Sequence, residues 1–342
     1  MSEAENLSIT IAGAGSVGCY VGARLAAAGR NVTLLTRPAL ANTIARYGLL
    51  CSDMDGNNTA IAPERLKVSV SPEHALANAK LILVTVKSHD TGAMAALIAE
   101  HAGDDALIAS LQNGVANAGV LRQHLTSDRV IDAMVPFNVI QRRPSDAAPR
   151  VHRATGGTIL VEQRARGLRS VLNVPHMPVA GHDDIEAVLW GKLLVNLNNG
   201  LNALSGLPIV EQLGDRRWRV LVSRQLSEGL AVLTDAGIRY APYEGVPQRV
   251  LALAMRLPDP LFRVTARRML SMDKTARSSM WEDLQAGRRT EIDHLQGEII
   301  RLADKVKRAV PLNRRVRDLV KEAERARQGS PELPPEVVSE PF

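Results

Sequence analysis

Residues 9–18 read ITIAGAGSVG: an apolar run leads directly into a glycine-rich turn and then into an alanine-rich helical segment. Gly13 permits the tight turn, Gly15 leaves room for a ligand close to the backbone, and Gly18 lets the helix pack on the strand. The first amide groups of the helix face the turn, where the helix dipole favours negative charge. This pattern is typical of a dinucleotide site; the alternative is a glycine-rich turn that binds no ligand.

The strand predicted at residues 31–36 is followed by Arg37, which indicates the kind of dinucleotide. A carboxylate at this position would accept hydrogen bonds from the ribose of NAD and would repel the 2′-phosphate of NADP. A guanidinium can instead pair with that phosphate through two hydrogen bonds. The sequence therefore favours NADP(H), and an exposed arginine without a ligand is the alternative interpretation.

The composition is that of an ordinary globular chain. Its 342 residues suit two domains, and 45% hydrophobic residues can form a core in each. We expect a cytoplasmic protein, because residues 1–6 do not resemble a signal peptide and no apolar run reaches the ~20 residues of a membrane helix. Only 3% of the residues are aromatic, which argues against a nucleic-acid partner despite the net charge of +6. Two cysteines are too few for a metal site, so we predict none.

The order of the segments predicts two domains and a tail. Strand-like and helical segments alternate over residues 1–182, which predicts an α/β domain with a Rossmann-type, doubly wound sheet. The glycine-, aspartate- and asparagine-containing segment after Arg37 is interpreted as a turn-rich excursion. Residues 183–328 show helical periodicity and are predicted to form an all-α substrate domain, with the substrate cleft between the domains. The proline-rich residues 329–342 are predicted to be disordered.

Polar residues directly follow two of the predicted strands. Lys87 follows the strand at residues 81–86, and Gln112 and Asn113 follow the strand at residues 106–111. Ligands of open parallel sheets lie beyond the carboxyl ends of the strands. An amine there can meet a phosphate or carboxylate, and an amide can bind ribose or a substrate oxygen. The alternative for each is a role in a strand-end turn.

Residues 190–200, WGKLLVNLNNG, carry polar side chains within an apolar helical segment. At about 100° per residue, Lys192, Asn196 and Asn199 lie on one face of a helix predicted at residues 185–204. Buried polar groups without partners cost roughly 1–3 kcal/mol each, so we expect these side chains to face a ligand. An internal polar network or a solvated stripe is the alternative.

A second polar cluster lies at residues 276–293. Thr290 is a candidate N-cap for the helix that follows, which would place Glu291 in its first turn. Capping and dipole effects alone could account for these two residues, so the cluster is ambiguous when taken by itself.

The motifs taken together resemble the ketopantoate reductase (2-dehydropantoate 2-reductase) family. The resemblance covers roughly residues 7 to 310 in the expected order and rests on the glycine turn, Arg37, VTVK at 84–87, LQNG at 111–114, Trp190, Lys192, Leu193, Asn196, SSM at 278–280 and TEID at 290–293. It implies that NADPH delivers a hydride to the keto carbon of a 2-keto acid and that Lys192 is the general acid. Glu291 would bind the substrate hydroxyl and hold the lysine in place.

The resemblance also implies the binding residues. The substrate residues are Asn113, Asn196, Asn199 and Ser279. The cofactor residues are Gly13, Ala14, Gly15, Ser16, Val17, Gly18, Arg37, Lys87, Asn113 and Glu291.

One position departs from the family pattern. Family members commonly have an asparagine eight residues after the lysine, followed by a proline, and this chain has Gly200 and Leu201 at these positions. Three functions are therefore considered: reduction of 2-dehydropantoate to pantoate in pantothenate and coenzyme A synthesis, reduction of a different 2-keto acid, and dinucleotide binding without catalysis. The presence of Lys192 and Glu291 argues against the third. A homodimer is expected from the general frequency of dimers alone.

Overall fold

The structure is a computed structural model, and it describes residues 7–144, 146–266 and 273–339. The chain divides into two compact units, Met1–Ile185 and Glu186–Phe342. The first unit is a mixed α/β fold built on a largely parallel sheet and the second is helical. The predicted fold class is therefore confirmed.

The described residues of the first unit form twelve strands and six helices. The strands are β1 (Ser8–Ala12), β2 (Asn31–Leu35), β3 (Leu49–Asp53), β4 (Asn58–Ile61), β5 (Lys67–Ser69), β6 (Leu81–Val84), β7 (Leu107–Ser110), β8 (Val130–Met134), β9 (Val139–Arg142), β10 (Arg150–Arg153), β11 (Ile159–Glu162) and β12 (Val179–His182). The helices are α1 (Ser16–Ala27), α2 (Pro38–Tyr47), α3 (Pro72–Leu76), α4 (Thr91–His101), α5 (Asn117–Arg122) and α6 (Arg166–Leu172).

Eight strands form the main sheet in the order β12-β11-β8-β7-β6-β1-β2-β5. Strands β8 to β5 of this order run parallel, and β11 pairs with β8 in the antiparallel direction. The central strands β1 and β6 are buried apart from Ser8, as expected for parallel strands covered by helices. The chain order reverses between β1 and β6, so their carboxyl ends flank the position where open α/β sheets bind ligands.

A second sheet has the order β4-β3-β10-β9, and α1 contacts its strands. Residues 38–61, which include most of the predicted turn-rich excursion, form α2, β3 and β4, so that prediction is wrong. Pro38 at the first position of α2 and the buried Leu40 and Ile44 on one face explain the helix. The strands form because Leu49 and Cys51 alternate with less buried residues and pack into the core.

The described residues of the second unit form ten helices, the first of which begins at the boundary between the units. They are α7 (Ile185–Asn196), α8 (Asn198–Ser205), α9 (Ile209–Gly214), α10 (Arg216–Asp235), α11 (Gln248–Ala254), α12 (Asp259–Thr265), α13 (Ser279–Gln285), α14 (Ile292–Val306), α15 (Pro311–Ala326) and α16 (Pro335–Ser339). Helix α15 buries Leu312, Val316 and Val320 at helical spacing and contacts α8, α10 and α14.

The predicted disorder of the tail is wrong for residues 329–339. The hydroxyl of Ser330 donates a hydrogen bond to the carbonyl oxygen of Ala203 at 2.7 Å, and Val338 is fully buried. Residues 340–342 lie outside the described residues. Proline-rich composition suggested disorder, but these contacts with distant parts of the chain order the segment.

Within the three described ranges, no helix has both the length and the apolar character needed to cross a membrane.

Candidate active site

The glycine turn between β1 and α1 is fixed by the ends of two neighbouring strands. The amide groups of Gly13 and Ala14 donate hydrogen bonds to the carbonyl oxygen of Leu35, at 3.3 and 3.2 Å. Gly13 has a φ of +106°, and a β-carbon added there would lie 2.8 Å from the amide nitrogen of Val86. Only glycine combines this backbone conformation with so close a neighbour.

The other two glycines of the motif have different surroundings. A β-carbon at Gly18 would collide with the carbonyl oxygen of Gly13, so Gly18 is required for packing. A β-carbon at Gly15 would meet no described atom within 4 Å. Gly15 is also the N-cap of α1 and gives no side-chain cap to the first amide groups of the helix. This combination of open space and amide donors fits a phosphate group.

Thr85 directly follows β6, contacts the glycine turn and was not singled out from the sequence. Its hydroxyl donates a hydrogen bond to the carbonyl oxygen of Gly13 at 2.6 Å. A hydroxyl residue directly after the buried strand β6 was the available signal, because polar residues at strand ends commonly serve the ligand site.

A buried polar network joins the loops that follow β6 and β7. The hydroxyl of Ser88 and the side-chain amide of Asn117 donate hydrogen bonds to the backbone carbonyl oxygen of Asn113, at 3.1 and 2.6 Å. Gln112 donates to the carbonyl oxygen of Val86 at 3.0 Å. Lys87 immediately precedes Ser88, so these bonds bring the predicted Lys87 and Asn113 onto adjoining loops at the carboxyl edge of the sheet.

Arg37 lies at the carboxyl end of β2 and is the N-cap residue of α2. It is exposed, and its guanidinium makes no ion pair with the residues that the structure describes. The cation is thus placed at the same edge of the sheet as the glycine turn, since β1 and β2 run parallel in register.

Lys192 and Glu291 are buried together in the helical unit. Lys192 lies in α7 and Glu291 is the N-cap residue of α14, and they are 9% and 6% exposed. Burial lowers the pKa of Lys192 to about 8, and the negative charge of Glu291 opposes this effect. The lysine is thereby an acid whose pKa lies near neutral pH, within electrostatic reach of a carboxylate.

The prediction that Thr290 is the N-cap residue of α14 is wrong: Glu291 occupies that position and gives no side-chain cap, and Thr290 lies one residue before it. Its hydroxyl accepts a hydrogen bond from the amide of Ile292 at 3.2 Å, in the first turn of α14. The amide and the hydroxyl of Thr290 also donate hydrogen bonds to the carboxylate of Glu324 on α15. The sequence did not indicate Glu324, because its partner is a distant residue and it lies in a helix rich in exposed charges.

The prediction of one continuous helix through residues 185–204 is wrong. Helix α7 ends at Asn196 and α8 begins at Asn198. The side chain of Gln296 donates to the carbonyl oxygen of Leu197 at 2.7 Å, and the same oxygen accepts a hydrogen bond from the amide of Gly200 at 3.3 Å. Leu197, the residue between the two helices, keeps right-handed helical backbone angles, so the interruption is local, and Asn196 and Asn199 are both half-buried.

Asn199 and Ser279 are brought close to each other through Ser278. The Ser278 hydroxyl donates to the carbonyl oxygen of Asn199 at 3.1 Å, and its amide donates to Asn202 at 2.8 Å. Ser278 also caps α13, because its hydroxyl accepts from the amide of Trp281 at 3.2 Å. Asn202 was not predicted, and Ser278 entered the sequence analysis only as part of the SSM motif; the structure shows that both are buried.

Gly200, the departure noted in the sequence, is a packing position. A β-carbon added there would lie 2.7 Å from Cγ1 of Val316 and 3.0 Å from Nε2 of Gln296. Val316 is fully buried in α15. The missing side chain at this position therefore allows α8 to approach α15 closely.

A Rossmann-type unit with an open glycine turn, followed by a helical unit, is the architecture of the two-domain dinucleotide-binding class. The chain belongs to the ketopantoate reductase family. The family model described as Ketopantoate reductase PanE/ApbA matches residues 9–165, and the model of the C-terminal part of the same family matches residues 184–324. Residues 325–339 lie beyond this match.

Known proteins resemble the chain over nearly its whole length. A 2-dehydropantoate 2-reductase from Halobacterium salinarum is 28% identical, over 93% of this chain and 99% of that protein. The crystal structure of a PanE/ApbA family ketopantoate reductase from Ralstonia eutropha JMP134 has a TM-score of 0.77 and 30% identity, covering 94% of this chain and 100% of that one. A D-mandelate dehydrogenase solved with NADH and anilino(oxo)acetate has a TM-score of 0.78 and 19% identity, covering 94% and 99%, and is similar in fold.

Proposed function

We propose that the chain catalyses the NADPH-dependent reduction of a 2-keto acid to a 2-hydroxy acid, with 2-dehydropantoate as substrate and pantoate as product. The observation that carries this proposal is the buried pair of Lys192 and Glu291, in which the lysine has its pKa lowered to about 8. A reductase needs a proton donor for the carbonyl oxygen, and an acid with a pKa near the working pH is most effective. Membership of the ketopantoate reductase family supports the same reaction.

The residues of the first unit fit a dinucleotide cofactor. Residues 13–18 would hold the pyrophosphate, because Gly15 leaves open space in front of the first amides of α1. Arg37 would pair with the 2′-phosphate of NADP(H), and Lys87 and Asn113 would contact the cofactor from the loops after β6 and β7. When bound, NADPH supplies the hydride of the reaction.

Lys192 would donate the proton to the substrate carbonyl oxygen. The ammonium group stabilises the negative charge that develops on this oxygen and then neutralises it. Glu291 would keep the lysine protonated near neutral pH, since its charge raises the lysine pKa against the effect of burial. It would also accept a hydrogen bond from the substrate hydroxyl and contact the cofactor.

The remaining polar residues would orient the substrate. Asn113 and Asn196 would bind its oxygen atoms, with Asn199 beside them, and Ser279 would contact its carboxylate. Asn199 and Ser279 would bind the same substrate molecule, because the Ser278 hydroxyl bonds the carbonyl oxygen of Asn199 and Ser279 follows Ser278 directly in the chain. A place in pantothenate synthesis, a cytoplasmic location and a homodimer belong to this same proposal.

Reduction of a different 2-keto acid is the second candidate. The similarity in fold to D-mandelate dehydrogenase favours including an aryl keto acid among the substrates tested. The sequence difference at Gly200 favours it less, because the space of the missing side chain is taken by Val316 and Gln296.

The deciding experiment follows NADPH oxidation with 2-dehydropantoate, phenylglyoxylate and a panel of branched 2-keto acids. We expect the highest kcat/KM for 2-dehydropantoate. A higher kcat/KM for another acid would identify that acid as the substrate, and no turnover with any acid would overturn the proposed function. Lys192→Ala should lower kcat by at least about 100-fold while NADPH still binds, since general acid catalysis contributes roughly 10²–10⁴. Lys305→Ala, an exposed lysine of α14, is the matched control and should leave kcat unchanged.

A further inference from the structure

The segment 329–339 lies across the end of helix α8 and hydrogen-bonds to its last turn. The hydroxyl of Ser330 donates to the carbonyl oxygen of Ala203 at 2.7 Å, and the amide of Leu333 donates to the carbonyl oxygen of Leu204 at 2.8 Å. The last carbonyl groups of a helix have no partner within the helix. Because Ala203 and Leu204 are fully buried, their carbonyl groups depend on donors from this segment.

The same segment also packs over the turn that follows α8. A β-carbon at Gly206 would lie 2.7 Å from Cγ of Glu332 and 3.1 Å from Oγ of Ser330, so the segment passes directly over this glycine. A β-carbon at Gly329 would lie 2.9 Å from Oε1 of Gln285, the last residue of α13. The segment thus contacts both α8 and α13.

The far end of the segment is anchored elsewhere in the helical unit. Glu336 forms an ion pair with Arg217 at 2.8 Å, and the carbonyl oxygen of Val337 accepts a hydrogen bond from Arg315 at 3.3 Å. Val338 is fully buried. Ion pairs exposed to solvent contribute little, so the buried valine is the main anchor.

The end of α8 and the turn that follows it, which the segment covers, are hydrogen-bonded to the residues just before the proposed substrate residue Ser279. The carbonyl oxygen of Gly206 accepts a hydrogen bond from Nε of Arg277 at 3.0 Å, and the Arg277 guanidinium stacks on the ring of Trp281 at 4.6 Å. Asn202, one turn earlier on α8, accepts the amide of Ser278 at 2.8 Å. The segment, the end of α8 and residues 276–281 therefore form three successive layers.

We infer that residues 329–339 form a positioning strap, which holds α8 and the start of α13 at the spacing that the 2-keto acid requires. The strap acts through Asn202, Gly206 and Ser278. It lies outside the span matched by the family models, which ends at residue 324. This inference rests on the proposed function, because the roles of Asn199 and Ser279 in substrate binding are part of that proposal.

The first test removes residues 329–342 and compares this chain with a control that lacks only residues 340–342. We expect the truncation to raise KM for 2-dehydropantoate about tenfold while kcat and the NADPH KM change less than about threefold, because a misplaced binding group weakens ground-state and transition-state binding alike. The control should match the intact chain. An unchanged KM in a folded truncated chain would overturn the strap.

Point variants cover the case in which the truncated chain does not fold. Ser330→Ala removes the donor to Ala203 and should raise the keto acid KM about threefold, whereas Ser330→Thr keeps a hydroxyl and should restore it. Equal KM values in both variants and the intact chain would refute the role of this bond.

Hydrogen exchange separates failure of the strap from failure of the proposed function. Loss of the strap should speed amide exchange in residues 276–285 and leave α1 of the first unit unchanged. If the intact chain reduces no 2-keto acid, the proposed function fails, and unchanged exchange in residues 276–285 independently rejects the strap.

Discussion

Glu324 accepts two hydrogen bonds from Thr290, one from its amide at 2.7 Å and one from its hydroxyl at 2.6 Å. Thr290 is buried and immediately precedes Glu291. A carboxylate on α15 thus fixes the start of α14, and with it the residue that faces the charge of Lys192. Lys321 pairs with the same carboxylate at 3.1 Å and balances its charge.

Glu324→Ala should therefore lower both stability and kcat. It leaves two buried donors of Thr290 without an acceptor, which costs roughly 1–3 kcal/mol for each unpaired group. Glu324→Gln keeps an acceptor oxygen and should retain most of the activity. Thermal unfolding and steady-state kinetics of both variants, beside the exposed control Glu322→Ala, check this; equal behaviour of the alanine and glutamine variants would contradict it.

The pH dependence of reduction should report the Lys192–Glu291 pair. A general acid works only when protonated, so kcat/KM should be highest below the lysine pKa of about 8 and fall as the pH rises through it. Glu291→Gln removes the charge that raises this pKa, and the alkaline limb should then move to lower pH. Profiles of kcat/KM from pH 6 to 10 measure this alkaline limb, on which kcat/KM should fall about tenfold per pH unit above the lysine pKa. A limb that stays in place or moves to higher pH would show that Glu291 does not act on the lysine.

Arg37→Ala should weaken NADPH far more than NADH. Losing a charge-assisted contact to the 2′-phosphate removes roughly 1.5–3 kcal/mol, which is about 10- to 150-fold in Kd, and NADH has no such phosphate. Arg46→Ala, an exposed arginine in the last turn of the same helix α2, is the matched control. Fluorescence titration gives Kd for both cofactors, and an equal loss for NADPH and NADH would exclude the phosphate contact.

The order of elements in the first unit followed from the sequence because its signals are local. Buried parallel strands such as β6 appear in the sequence as continuous apolar runs, and Gly18 is required by the carbonyl oxygen of Gly13 within the same turn. Helix α2 also had a local signal, Pro38 at its first position, which the glycine and aspartate content of the following residues obscured.

The remaining features depend on residues distant in the chain. At the break between α7 and α8, the carbonyl oxygen of Leu197 is bonded by Gln296, and in the ordered tail Ser330 bonds Ala203. Periodicity within a window of residues carries no information about such partners. Lys192 could be selected as a candidate because a lone cation in an apolar helix is unusual, whereas the lowering of its pKa depends on its burial in the folded unit.

Gly200→Ala should destabilise the helical unit even though alanine is the better helix former. The added β-carbon would lie 2.7 Å from Cγ1 of Val316, a stiff side chain in a fully buried position. Overpacking of this kind costs roughly 1–3 kcal/mol, against a gain of about 1 kcal/mol in helix propensity. Gly214→Ala is the matched control, because its β-carbon would meet no described atom within 4 Å. Urea unfolding should place the midpoint of Gly200→Ala below that of the intact chain, and adding Val316→Ala should recover part of the loss. If the double variant is no better than the sum of the two single changes, the close approach of α8 to α15 does not explain the glycine.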